Sequence, residues 1–221
     1  MQIFRAFTSV PRYPRPLLNT VLTGERIVLR AARIEDWNEW KKMRESSRQF
    51  LQPWEPTWSP DALSQDYFAT NLRRQWREWR KGEGYAWLIF KKDVGFGIQD
   101  LGQERIAKSQ ILNPKSLLIG GISLNDITRG IAQHGTLGYW MGELFANQGY
   151  MTEAVRLICA FGFDHLRLHR IEASCLPHNE ASKRILQKIG FSLEGRAAGY
   201  LRINGRWEDH LLWGLVKPDA H

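Results

Sequence analysis

Apolar positions along the chain fall into two periods, and the changes between them mark out the elements. Residues 25–30 (ERIVLR) alternate as a strand does, and residues 36–48 carry Trp37, Trp40 and Met43 on one helical stripe. Residues 50–60, FLQPWEPTWSP, end that helix, because their three prolines cannot continue it. Ser59-Pro60 has the form of an N-cap followed by a first-turn proline. The helix it would open has Phe68, Leu72, Trp76 and Trp79 on one face and ends near Lys81-Gly82. Residues 85–90 and 117–124 read as strands. Between them, residues 91–115 form a long, polar, Gly-bearing insertion, expected to be an extended hairpin connection and the least ordered region.

The second half repeats the strand-and-helix rhythm. Residues 136–141 are rich in aromatic and β-branched side chains and stop at Gly142. A polar turn, Ala146-Asn147-Gln148-Gly149, follows. Met151, Ala154, Val155, Ile158 and Phe161 then recur at helical spacing. A strand is expected over residues 169–175. A short helix over 179–189 has Asn179 as its cap, Ala181, Ile185 and Ile189 as its stripe, and Gly190 at its end. Asn204-Gly205, between residues 191–203 and 207–216, is the strongest hairpin signal in the chain. The sum is one mixed α/β domain over residues 22–216, with two early and two late helices. Residues 1–21 read as a flexible arm rather than a signal peptide, since a charge interrupts their short apolar part, and 217–221 read as a tail.

Composition narrows the classes. A net charge of +8 favours an anionic cofactor, an acidic partner surface or RNA over a neutral partner, although a solubility surface has the same charge. Cys159 and Cys175 are the only cysteines and form no CxxC, so a reducing cytosol is the simplest inference. No apolar run reaches the ~20 residues of a membrane span. His165 and His169 have the i, i+4 spacing of metal ligands, but no third ligand accompanies them and no metal is expected. Cys159 reads as a packed residue, and Cys175 ends a strand without a readable His–Asp pairing. Helix residues 73–81 are rich in Arg and Lys, which suits a solvated face or a meeting with rRNA.

The sharpest chemical signal is the strand–turn–helix of residues 137–154, LGYWMGELFANQGYMTEA. A fresh helix start leaves N–H groups unpaired and pointing one way, and the helix dipole adds positive potential. Phosphate suits that place, and Gly149 lets the backbone approach it. The ordinary alternative is that this is only a turn. Neither GxxxxGK[ST] nor a strict GxGxxG is present, which removes the Walker loop and leaves a dinucleotide fold without support.

Two blocks, GYWMGELFANQGYMTEAV and LHRIEASCLPHNEASKRILQKIGFSLEG, stand in an order that resembles the GCN5-related N-acetyltransferase (GNAT) superfamily. Within it the chain is similar to the ribosomal-protein N-acetyltransferases of the RimJ/RimL type. Residues 50–58, with PWEP, resemble the substrate-side loop of the alanine-specific members, and GYLRINGRWEDHLLWGLV resembles their closing hairpin. The resemblance implies a GNAT fold of the mixed α/β (α+β) class, with a mostly antiparallel sheet of about six to seven strands and about four helices. It implies acetyl-CoA as co-substrate, with contacts from Tyr139, Trp140, Met141, Gln148, Gly149, Tyr150, Met151, Thr152, Asn179 and Ser182. It also implies acceptor contacts from Trp54, Trp58 and Tyr200, a cytoplasmic setting, and a monomer or homodimer with rRNA nearby.

Departures from the family pattern are informative. The phosphate loop is usually Q/R-x-x-G-x-G/A; here Ala146 and Met151 occupy its first and last positions and Gly149 is kept. The Tyr that protonates the thiolate in many relatives is replaced by Leu186, leaving Ser182 as the acid. Asn179 and Ser182 are also what a helix start needs, and both readings hold together. The carboxylate of RimL-type relatives is replaced by Gly199, before Tyr200. Glu143 is the substitute base, with Asp209 or water as alternatives. The implied activity is acetylation of a protein N-terminal amine, the alanine of a small-subunit ribosomal protein. A small-amine acetyltransferase (polyamine or aminoglycoside) and a non-catalytic ribosome-associated protein remain the alternatives.

Overall fold

The computed structural model describes residues 18, 20–92 and 117–217. Most of the arm, most of the 91–115 insertion and the last four residues lie outside the described residues.

Eight strands form one sheet: β1 (Leu22–Thr23), β2 (Ile27–Arg30), β3 (Tyr85–Lys91), β4 (Leu117–Thr128), β5 (His134–Met141), β6 (Arg170–Cys175), β7 (Ser192–Ile203) and β8 (Arg206–Val216). Their order across the sheet is β1-β2-β3-β4-β5-β6-β8-β7. Every neighbouring pair is antiparallel except β5 with β6. That one parallel pair needs a crossover, which helix α4 below supplies. The strand count exceeds the expected six to seven, and one of the strands, β1, is a two-residue extension too short to leave a periodic signal.

The helices are α1 (Trp37–Ser46), α2 (Arg48–Leu51), α3 (Gln65–Lys81), α4 (Tyr150–Ala160) and α5 (Glu180–Ile189). α4 widens at its end into a π turn, Phe161–His165. α2 shares only Arg48 with the expected first helix and carries helical turn on to Leu51, into the segment expected to break it. It is cut from α1 at Ser47, whose backbone leaves helical geometry and whose buried hydroxyl accepts the Glu143 N–H at 3.0 Å.

The third helix starts later than its proline suggested. Ser59 and Pro60 lie in a turn, and the cap is Ser64, whose hydroxyl accepts the Tyr67 N–H at 3.1 Å. Ala62 and Leu63 are buried between the two serines, and the Leu63 carbonyl accepts the Trp37 indole N–H at 3.1 Å. Core contact therefore overrides the local proline signal. Gly82 ends the helix at φ +75°, the conformation a Schellman end requires.

Strand β3, YAWLIFK, is buried on both faces, and its alternation assigns each layer. Trp87 and Ile89 join one core with Ile27, Leu29, Ile119, Val155, Ile158 and Leu186 beneath α4 and α5. Leu88 and Phe90 join a smaller one with Phe68, Leu72 and Leu118, against α1 and α3. No helix among the described residues is long and apolar enough to cross a membrane.

Replacing Ser64 by Ala is expected to lower unfolding free energy by about 1 kcal/mol, whereas Ser59→Ala changes little. Urea midpoints measure both, and the reverse ranking would return the helix start to Ser59.

Candidate active site

The site is made by a separation of strands. β5 pairs with β6 only from His134–Arg170 to Leu137–Ala173, although β5 runs on to Met141 and β6 to Cys175. On its other side β5 stays paired with β4 through Met141–Gly120, and β6 stays paired with β8 through Cys175–Leu211. The Gly142 N–H donates to the Ile119 carbonyl at 2.9 Å. Antiparallel alternation then gives Tyr139 and Met141 the opposite direction, so their N–H and C=O groups face the gap. An unpaired strand edge inside a cleft invites a ligand that itself carries amide groups.

The cleft has a volume of about 920 Å³. The start of α4 closes one end. Asn147 and Gly149 adopt φ +59° and +82°, so the chain folds into a tight loop just before Tyr150. Backbone N–H groups of such a loop and of the first helical turn form a cradle for phosphate. Ala146 stands where Gln or Arg was expected, and Arg26, just before β2, donates to the Gln148 carbonyl at 3.0 Å and lies 4.7 Å from the Tyr150 ring centroid. It also pairs with Glu153 of α4 at 3.1 Å. Across the cleft, Arg184 and Lys188 of α5, one turn apart, line the wall.

The start of α5 meets the exposed strand edge. Asn179 Oδ1 accepts the Ser182 N–H at 3.0 Å, the cap read from sequence. The Ser182 hydroxyl lies 2.6 Å from the Tyr139 hydroxyl, across the gap between the parted strands. Burial pushes the Tyr139 phenol well above its usual range, outweighing the lowering effect of the Ser182 hydrogen bond. The phenol thus stays protonated at neutral pH and can donate to Ser182 Oγ. Cys175, buried beside Ser182, has its thiol pushed up by burial, against smaller lowering effects of Trp213 and Ser182. Such a protonated thiol is a poor nucleophile. Burial likewise pushes Cys159 up to about 12.

A second cavity of about 390 Å³ opens toward α1 and α3. The two cavities share Glu55, Tyr139 and Trp140 as walls. Gly121 makes room for Trp140, because a Cβ there would overlap the indole nitrogen. Arg44 of α1 lies between aromatic rings, its guanidinium 4.5 Å from the centroid of Trp58 and 4.9 Å from that of Trp140.

Of the residues picked out in the sequence, Tyr139, Trp140, Met141, Gly149, Met151, Thr152, Asn179 and Ser182 converge on the larger cleft, together with Trp54. Gln148 turns its side chain back to the Leu144 carbonyl at 2.7 Å, and the Tyr150 ring is buried beneath Arg26. Both therefore present backbone rather than side chain to the loop before α4. Trp58 instead donates to Glu55 at 2.8 Å, and Tyr200 packs against His210 with ring centroids 5.8 Å apart. Glu143 is exposed outside both cavities. Asp209 is engaged by Arg196 at 2.6 Å and by the Gly199 N–H at 2.7 Å. His165 packs on Phe161, with centroids 5.5 Å apart. Arg26, Arg184, Lys188 and Glu55 escaped the sequence reading. Two signals could have found them: Glu55 is the acid of the PWEP segment, and Arg184 and Lys188 are an i, i+4 pair just after Ser182.

Comparison with known proteins agrees with this geometry. Residues 26–192 match the family described as acetyltransferase (GNAT) domain. The chain is 33% identical to the probable N-acetyltransferase YjcK of Bacillus subtilis, over 90% of this chain and 98% of that one. It is 28% identical to the [ribosomal protein uS5]-alanine N-acetyltransferase of Escherichia coli, over 90% and 91%. The crystal structure of the ribosomal-protein-S5-alanine acetyltransferase of Vibrio fischeri superposes with a TM-score of 0.75 at 26% identity, covering 91% of this chain and 99% of that one. The exposed strand edge and the loop before α4 fit acetyl-CoA, whose pantetheine arm carries amides and whose other end carries phosphates. The chain belongs to the GNAT family and is an acetyl-CoA-dependent N-acetyltransferase related to the RimJ/RimL ribosomal-protein acetyltransferases.

Proposed function

We propose that this enzyme acetylates the α-amine of a protein N-terminus, the alanine of a small-subunit ribosomal protein, in the cytoplasm. The observation that carries this reading is the near full-length similarity to an enzyme named for alanine of ribosomal protein uS5. The second, Trp-walled cavity supports it, because it lets an acceptor approach the parted strands from the face opposite α4. The exposed Arg73, Arg77 and Arg80 of α3 provide a cationic stripe suited to ribosomal RNA.

In this reading each residue has a bounded task. The N–H groups of residues 149–152, with Arg184 and Lys188, hold phosphates. The free edge of Tyr139 and Met141 pairs with amides of the pantetheine arm, and a Met141 N–H can also steady negative charge on the acetyl oxygen. An acceptor α-amine, with a pKa near ~8, must be neutral to attack. Acetyl-CoA supplies the activated acetyl group as a thioester. Ser182 donates a hydrogen bond to the sulfur as the carbon–sulfur bond breaks. Tyr139 makes that possible: by donating to Ser182 Oγ, it leaves the serine hydrogen free to point into the cleft.

Several measurements bear on this. CoA release should be faster with a peptide beginning with Ala than with one beginning with Ser or with spermidine; turnover of spermidine alone would move the substrate to the small amines. Ser182→Ala should reduce kcat by roughly 10²-fold while acetyl-CoA affinity holds, as for loss of a group acting in the transition state. Tyr139→Phe should also slow turnover and add little in the Ser182→Ala background, since the two act as one unit. Independent, multiplicative effects would separate them. Gly149→Glu should weaken acetyl-CoA binding at least roughly tenfold by calorimetry, because it forces a side chain into φ +82° and sets a carboxylate against phosphate.

A further inference from the structure

An amine that attacks a thioester must lose a proton, and the position where RimL-type relatives carry a carboxylate holds Gly199 here. Glu143 is exposed away from the cavities, and both oxygens of Asp209 are engaged by Arg196 and the Gly199 N–H. Among the described residues that line either cavity, one acid remains: Glu55. It follows the short turn Gln52–Trp54 and stands where the two cavities meet, beside Tyr139 and Trp140.

Its carboxylate is held firmly but not filled. Arg44 makes two parallel bonds to it, at 2.8 and 2.6 Å, and Trp58 Nε1 donates a third at 2.8 Å. An ionised carboxylate has about four acceptor positions, so one is left for a further donor. The side chain is 20% exposed, enough for contact with a ligand. Stacking of Arg44 between Trp58 and Trp140 keeps the clamp from swinging. The Glu55 carbonyl accepts the Asn204 N–H at 2.9 Å, tying its loop to the tip of the β7–β8 hairpin. A fixed carboxylate with a free acceptor position, between the cleft of the thioester and the entry of the amine, meets the geometric requirement of a general base.

We propose that Glu55 is the catalytic base. Its free acceptor position takes an N–H from the neutral acceptor amine. As the nitrogen lone pair forms the bond to the acetyl carbon, the carbon–sulfur bond breaks and its electron pair leaves on sulfur. The proton from nitrogen passes to Glu55 and then to solvent, and the thiolate is protonated from solvent. Arg44 and Trp58 act as positioning residues for the carboxylate. The assignment rests on acetyl transfer to an amine and takes only the choice of amine from the proposed function.

Glu55→Gln keeps an oxygen for Arg44 and Trp58 but cannot take the proton. With the acceptor that the wild type uses best, kcat at pH 7 should fall by roughly 10²-fold or more. Acetyl-CoA affinity should stay within about twofold, and the residual rate should recover as pH rises and hydroxide replaces the base. The double variant Arg44→Gln/Glu55→Gln, which leaves no unpaired guanidinium, should show the same loss with normal folding by circular dichroism. A kcat within about threefold of wild type in either folded variant, or an unchanged pH profile, overturns the assignment. A purely structural clamp would instead lower Tm and spare kcat. Running the ratio with both the Ala peptide and spermidine keeps the two claims apart. Turnover of spermidine but not peptide removes the N-terminal reading, while the Glu55 ratio on spermidine still decides the base.

Discussion

Everything functional in this molecule depends on the parting of one parallel strand pair. β5 and β6 share hydrogen bonds over four residues each and then separate. Each remains anchored by its outer neighbour, β4 for β5 and β8 for β6, so the gap is held from both sides by intact antiparallel ladders. The separation exposes backbone groups of Tyr139 and Met141 that any closed sheet would consume. Chain direction does the rest. After β5 the chain turns into α4, and after β6 into α5, so two helix starts face one opening.

The opening is braced by side chains from remote positions. Tyr139 and Ser182, 43 residues apart in sequence, bridge it with a 2.6 Å hydrogen bond. Arg26 ties the first strands to the loop before α4 across 122 residues. At the second cavity, Arg44 joins α1 to Glu55 while its guanidinium lies against two indoles. A bidentate, partly buried pair of this kind is geometrically exact and expensive to break on one side only.

Much of the fold was legible because its signals are local. Asn179 caps α5, Gly82 and Gly190 end their helices with positive φ, and Asn204-Gly205 turns the β7–β8 hairpin. Each of these follows from one or two residues and their neighbours. Ser59-Pro60 misled for the same reason: it is a sound local start signal, overruled by the burial of Ala62 and Leu63. The location of the cleft was legible too, since the strand–turn–helix at residues 137–154 and the cap at Asn179 both lie on it. Its chemistry was less so. Glu143 looked suitable by its place at a strand end, yet it faces solvent, whereas Glu55 sits in a proline-rich segment whose resemblance to a substrate-side loop gave no reason to single out its acid.

The amino-acid sequence by itself determined the order of the main elements, several of their caps and turns, and the membership in an acetyl-CoA-using family. These rest on periodicity, on backbone preferences of Gly, Pro and Asn, and on paired motifs, all of which act within a few residues. Tertiary structure alone decided which polar groups meet: Arg26 with the loop before α4, Arg44 with Glu55, Tyr139 with Ser182. Those contacts join segments whose separation along the chain carries no period. They follow from how far β5 and β6 diverge and how the helices settle on the sheet, which is set by the packing of the whole core.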